Sequence, residues 1–132
     1  MAIGAPDRVR CAAALDQLLH ADEGISAVLL ALRDGRPFLE KHRHSVDGGK
    51  LAAMASSLVA LGQSVLRDLK SGPLDHVLIE GAEGKLVISS VADSGGLLIL
   101  AVLATRDTRL GLVLGHAKTC TQAVSAAFPQ GA

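Results

Sequence analysis

Aromatic residues are almost missing from this chain: Trp and Tyr are absent, and Phe38 and Phe128 carry the only phenyl rings among 132 residues. Hydrophobic residues still make up 49% of the sequence, so the core must be aliphatic. A surface without rings has little on which to stack nucleobases. Charge of one sign is missing too, with 13 basic residues against 13 acidic ones, so no field draws phosphates and nucleic acid is excluded as a natural partner. Cysteine is limited to Cys11 and Cys120, too few for a disulfide framework. The opening Met1-Ala2-Ile3-Gly4-Ala5-Pro6-Asp7 lacks a basic segment followed by an apolar one, so the protein reads as cytoplasmic with reduced thiols. The longest apolar run, Gly95 to Ala104, is ten residues, about half of what a membrane span requires. No membrane span is expected. No internal repeat and no Ser-, Gly- or Pro-rich linker divides the sequence, and residues 1–132 read as one domain.

What is present alternates between helical and extended periodicity. Pro6-Asp7 precedes Val9, Ala12, Ala13, Leu15, Leu18 and Leu19 at helical spacing, which predicts a helix from Asp7 to His20. Asp22-Glu23-Gly24 stops it. Ile25 to Leu32 is almost continuously apolar, as a strand buried on both faces must be. Asp34-Gly35 is a tight-turn signal, and the returning strand from Pro37 to His44 carries Glu40, Lys41, His42, Arg43 and His44. Proline and charge place it at a sheet edge, where they discourage further pairing. After a long helix come Leu74 to Glu80, Lys85 to Ala92 and Leu97 to Ala104, with turns at Glu83-Gly84 and Asp93-Ser94-Gly95-Gly96. These read as an antiparallel meander. Thr105, Asp107 or Thr108 then offers an N-cap for a helix carrying Leu110, Val113, Leu114, Ala117, Cys120, Val124 and Phe128 until Pro129. The order is α-β-β-α-β-β-β-α.

The long helix, Gly48 to Leu69, organises the rest because it presents two faces. Leu51, Met54, Ala55, Leu58, Leu61, Val65, Leu66 and Leu69 recur three and four apart and form the expected core stripe. Ala53, Ser57, Ala60 and Ser64 form a second strip of short side chains. Two readings fit that strip: a close helix-to-helix contact, or good helix formers on an exposed face.

Signs of catalysis are weak. Gly48-Gly49-Lys50 and Gly81 to Lys85 lack the glycine spacing of a phosphate loop, and Leu follows each Lys where Ser or Thr is needed. Gly81 to Lys85 is a hairpin turn instead. There is no G-x-S-x-G nucleophile elbow. His42 and His44 would share one side of a strand and make half a metal site, but a metal needs three or four ligands; surface histidines among Lys and Arg are the simpler reading. Cys11 and Cys120 read as buried thiols. Neither a cofactor nor an enzymatic role is expected.

The ordered set of Arg33-Asp34-Gly35, Leu51-Ala52-Ala53-Met54-Ala55-Ser56-Ser57-Leu58, Val77-Leu78-Ile79-Glu80-Gly81 with Gly84-Lys85-Leu86-Val87-Ile88, and Leu97 to Ala104 running into Leu110-Gly111-Leu112-Val113 resembles the Roadblock/LC7 family. Within it, the likeness is to the bacterial branch that includes MglB-like partners of small Ras-like GTPases. The resemblance spans nearly the whole chain. It implies an α+β, profilin-like fold: a five-stranded antiparallel sheet with the long helix on one face and the terminal helices on the other. It also implies a homodimer, with long helices packed antiparallel and the strands beginning near Leu74 paired edge to edge; this agrees with the small-residue strip Ala53, Ser57, Ala60 and Ser64 as the helix contact, and Asp75, His76, Val77 and Leu78 are the expected edge residues. A small Ras-like GTPase would be the partner. Ser56, Gln63, Arg67 and Lys70 belong to neither helix strip and are the expected contacts on the paired-helix platform, Arg67 through its planar fork of donors. A plainer account of Arg67 is a solvated cation near the negative end of the helix. The departure from the family pattern is the charged run Glu40 to His44. A profilin-like sensory domain holding a small molecule against the sheet is the alternative function, distinguished by convergent polar groups in an apolar pocket.

Overall fold

The computed structural model describes residues 5–92 and 94–129. Asp93, assigned above to a turn, lies outside the described residues, as do the first four residues on which the reading of the N-terminus rests. Eight elements run in the expected order: α1 (Arg8–Ala21), β1 (Ile25–Leu32), β2 (Pro37–His42), α2 (Gly48–Asp68), β3 (His76–Glu80), β4 (Gly84–Ser90), β5 (Leu98–Thr105) and α3 (Leu110–Ala126). The five strands form one antiparallel sheet in the order β2-β1-β5-β4-β3. The largely aliphatic strands β1 and β5 sit inside it, and the charged β2 and short β3 take the edges.

Period-two alternation divides the core into two layers. Val28, Leu30, Val87, Leu98, Leu100 and Val102 pack with Leu15, Leu18, Val113, Val124 and Phe128 of the α1/α3 layer. Leu29, Ala31, Ile88, Ile99 and Ala101 meet Ala52, Ala55 and Val59 of α2 on the other face. The helices are therefore split as the family resemblance implies. Asp7 caps α1 by accepting from Val9 N and Arg10 N, and Asp47 caps α2 by accepting from Lys50 N. Gly35 takes a φ of +94° in the β1–β2 turn, a region that glycine enters without penalty.

Three expectations need correction. The core stripe of α2 is rotated by about a quarter-turn from the reading above. Ala52, Ala55 and Val59 are buried, while Met54, Leu61, Val65 and Leu69 are 45%, 62%, 46% and 66% exposed. The reason lies in the sheet, whose α2 face carries Ala31 and Ala101; small residues on both surfaces let the helix lie close, and the long side chains are turned out. The N-cap of α3 is Arg109, without a side-chain cap bond. Thr105 and Thr108 bond to each other instead, Oγ1 to Oγ1 at 2.9 Å. Finally, β2 ends at His42, so His44 lies beyond the strand and does not share a strand face with His42.

Candidate functional site

The surface of α2 is built from side chains the core does not use. Met54, Leu61, Val65 and Leu69 form an exposed apolar ridge at spacings of seven, four and four, and Leu58 beneath it reaches the core cluster. The ridge runs toward β3: Leu74 and Val77 surround Gly62. Val77 and Ile79 pair with Ile88 and Leu86, which puts both on the α2 face, and Ile79 is 44% exposed there. Leu78 is also exposed, on the opposite face with Val87. Helix ridge and edge strand thus make one continuous apolar surface, with an unpaired sheet edge along its border. By length and composition alone α2 is apolar enough to cross a membrane, but its alanine face is committed to the sheet.

Of the residues expected at the dimer contact, Ala53, Ser57, Ala60 and Ser64 are exposed on α2 beside the ridge. Asp75 lies just before β3; His76 and Leu78 are exposed on that edge, and Val77 is half-buried. The four expected partner contacts divide into two pairs. Ser56 and Gln63 are half-buried and are held by the chain itself, which corrects their reading as free platform residues. Ser56 Oγ donates to the Arg33 carbonyl, and Arg33 Nη2 donates to Gln63 Oε1 at 2.6 Å. Arg33 Nη1 also reaches the Gly96 carbonyl at 3.5 Å, and a Cβ at Gly96, where φ is +76°, would meet that same nitrogen at 2.9 Å. This clamp ties the β1–β2 turn and the β4–β5 loop to α2. Arg67 and Lys70, by contrast, are exposed.

Lys70 occupies an unusual place. Ser71 N donates to Leu66 O at 2.9 Å and Lys70 N to Arg67 O at 3.1 Å, the two bonds of a Schellman ending. That motif needs a left-handed residue where Lys70 stands, with a φ of +53°. The sequence signal Gly72-Pro73 lies two residues too late to supply it, so spacing alone could not reveal the strain.

Buried polar groups are few, and one was missed. Lys85 is only 9% exposed; its Nζ donates to the Arg106 carbonyl at 3.0 Å and to the Thr108 carbonyl, pinning the loop before α3. Its place at the start of a strand after a turn gave no hint of burial. Cys11 and Cys120 are both buried, as expected. Burial, and secondarily Asp7, raises the Cys11 pKa; burial, and secondarily Cys11, pushes Cys120 up to about 12. Both remain thiols at neutral pH, unfit as nucleophiles. Among the described residues, no group of three His, Cys, Asp or Glu is arranged to hold a metal ion.

Residues 12–104 match the family model for the Roadblock/LC7 domain. The chain belongs to the Roadblock/LC7 family. Solved structures similar to this Roadblock/LC7 domain include MglB of Myxococcus xanthus, 22% identical with a TM-score of 0.79, covering 89% of this chain and 93% of that one. An MglB with a tetrameric arrangement is 21% identical, with a TM-score of 0.81 over 94% and 90% of the two chains. Profilin IA of Acanthamoeba castellanii shares the architecture at 8% identity, with a TM-score of 0.58 and coverage of 87% and 96%. No curated protein matches the sequence significantly.

Proposed function

We propose that this Roadblock/LC7 domain is a non-catalytic, homodimeric regulatory or scaffold protein of the MglB-like branch, acting in the cytoplasm. It binds a small Ras-like GTPase and modulates its nucleotide cycle or its localisation. The observation that carries the reading is the apolar ridge of α2 joined to the open β3 edge, a surface that one copy of the chain leaves uncovered. A two-fold axis beside this surface would cover the ridge against the partner's ridge and pair the two β3 edges. Ala53, Ser57, Ala60 and Ser64 would let the helices approach closely, and Asp75 to Leu78 would carry the edge pairing. Arg67, doubled by the two-fold, is the leading contact to the GTPase, because a guanidinium matches a carboxylate with two donors.

A pull-down against small GTPases encoded near the gene, in GTP and GDP forms, tests the reading with wild type and Arg67→Glu. Retention of one GTPase with a preference between nucleotide states, weakened by Arg67→Glu, is the expected result. No partner in either state, together with specific retention of a small metabolite, would favour the sensory-domain alternative.

A further inference from the structure

We propose that the cleft between the last turn of α2, the connection to β3 and the end of β4 binds an amphiphilic organic carboxylate. Arg67 and Lys70 would take its head group, while Leu66, Pro73 and Leu74 would take its apolar body. The cleft has a volume of about 520 Å³, within the range of small-molecule sites and far larger than a bare inorganic anion needs. Two cations and no carboxylate line it, and neither cation forms an ion pair among the described residues. An anion is the complement the wall lacks.

Ser90 adds a further polar group to this cleft, and it lines the neighbouring cleft on the other face as well. Ser90 pairs with Ile99, a member of the α2-side core cluster, so its side chain stands on the α2 face. Among the described residues its buried hydroxyl has no hydrogen-bond partner, and buried polar groups are seldom left so. The neighbouring cleft on the other face, about 400 Å³, makes a useful contrast because Asp75 stands in its wall with His76 and Lys118. There the positive charge is already offset.

This inference goes beyond the GTPase reading and is tested without a GTPase. The full chain, labelled with ¹⁵N, is titrated with octanoate, with acetate as the head group alone and octanol as the tail alone. Octanoate should give saturable amide shifts confined to 63–74 and Ser90, with acetate and octanol each binding at least about tenfold more weakly, since head and tail contribute together. Arg67→Gln with Lys70→Gln should weaken octanoate by about tenfold or more through loss of the charge-assisted bonds. Ser90→Ala, which leaves the rim untouched, should weaken it by a smaller factor. Octanol binding as tightly as octanoate, shifts centred on Met54, Leu61 and Val65, unaltered binding by the double variant, or no saturable shift with octanoate would each overturn the proposal.

Discussion

Lys70 shows how much local strain a single residue can hold in a small fold. A non-glycine residue in the left-handed region costs about 1 kcal/mol, and the φ of +53° at the end of α2 imposes that cost on a lysine. Lys70→Gly is therefore expected to raise the urea midpoint slightly, by about 0.5 kcal/mol of stability at most once the added freedom of the unfolded chain is subtracted. The cysteines supply a pH signature of opposite character. Cys120 is raised from an ordinary 9.0 to about 12, and Cys11 is raised as well, so the folded chain keeps protons that the unfolded chain releases. Because the folded pKa is the higher one, stability from these groups is intact below pH 9 and falls as pH rises toward 12. Denaturant midpoints from pH 8 to 11 should show the decline beginning near 9, at up to about 1.4 kcal/mol per unit for each proton. Replacing both cysteines by alanine should flatten that part of the profile.

At the scale of elements, the three helices begin unequally. Asp7 and Asp47 cap α1 and α2 through their carboxylates, whereas Arg109 gives α3 no side-chain cap. Asp47→Ala should destabilise the protein by about 1 kcal/mol and Arg109→Asp should stabilise it by a similar amount, read from thermal or urea unfolding. Element identity and order were legible in the sequence because periodicity and turn chemistry agreed along the chain. The almost continuously apolar run of β1 and the Asp34-Gly35 turn left little room for another reading. The phase of α2 was not legible, since it depends on the partner surface. Met54, Leu61, Val65 and Leu69 look like core residues until Ala31 and Ala101 fix the sheet face they would have to meet. Ser56 and Gln63 posed the same difficulty, because their partner Arg33 lies on a different element and only folding brings it near.

For the molecule as a whole, the apolar ridge and open edge make association the central expectation. Leu61→Glu would place a charge in a desolvated contact, and Val77→Pro would distort β3 and remove a backbone donor. In sedimentation at low micromolar concentration, wild type should run as a dimer, and each variant should shift the distribution toward monomer. Leu61→Glu should do so with unfolding stability close to that of dissociated wild type, because Leu61 is 62% exposed in the single chain. A fully dimeric Leu61→Glu would show that the ridge is not the contact.

The strand order carries a consequence for how the chain acquires its structure. β1 is complete by Leu32, yet its inner neighbour β5 begins only at Leu98, so the central pairing joins residues roughly seventy positions apart. Closing so distant a ladder delays the search for the native state, and during synthesis β1 has only the charged β2 beside it. The clamp of Arg33 with Gln63, Ser56 and Gly96 joins the ends of this long loop at the level of side chains. Arg33→Ala should therefore slow refolding more than it speeds unfolding in stopped-flow measurements, if the clamp forms before the barrier is crossed.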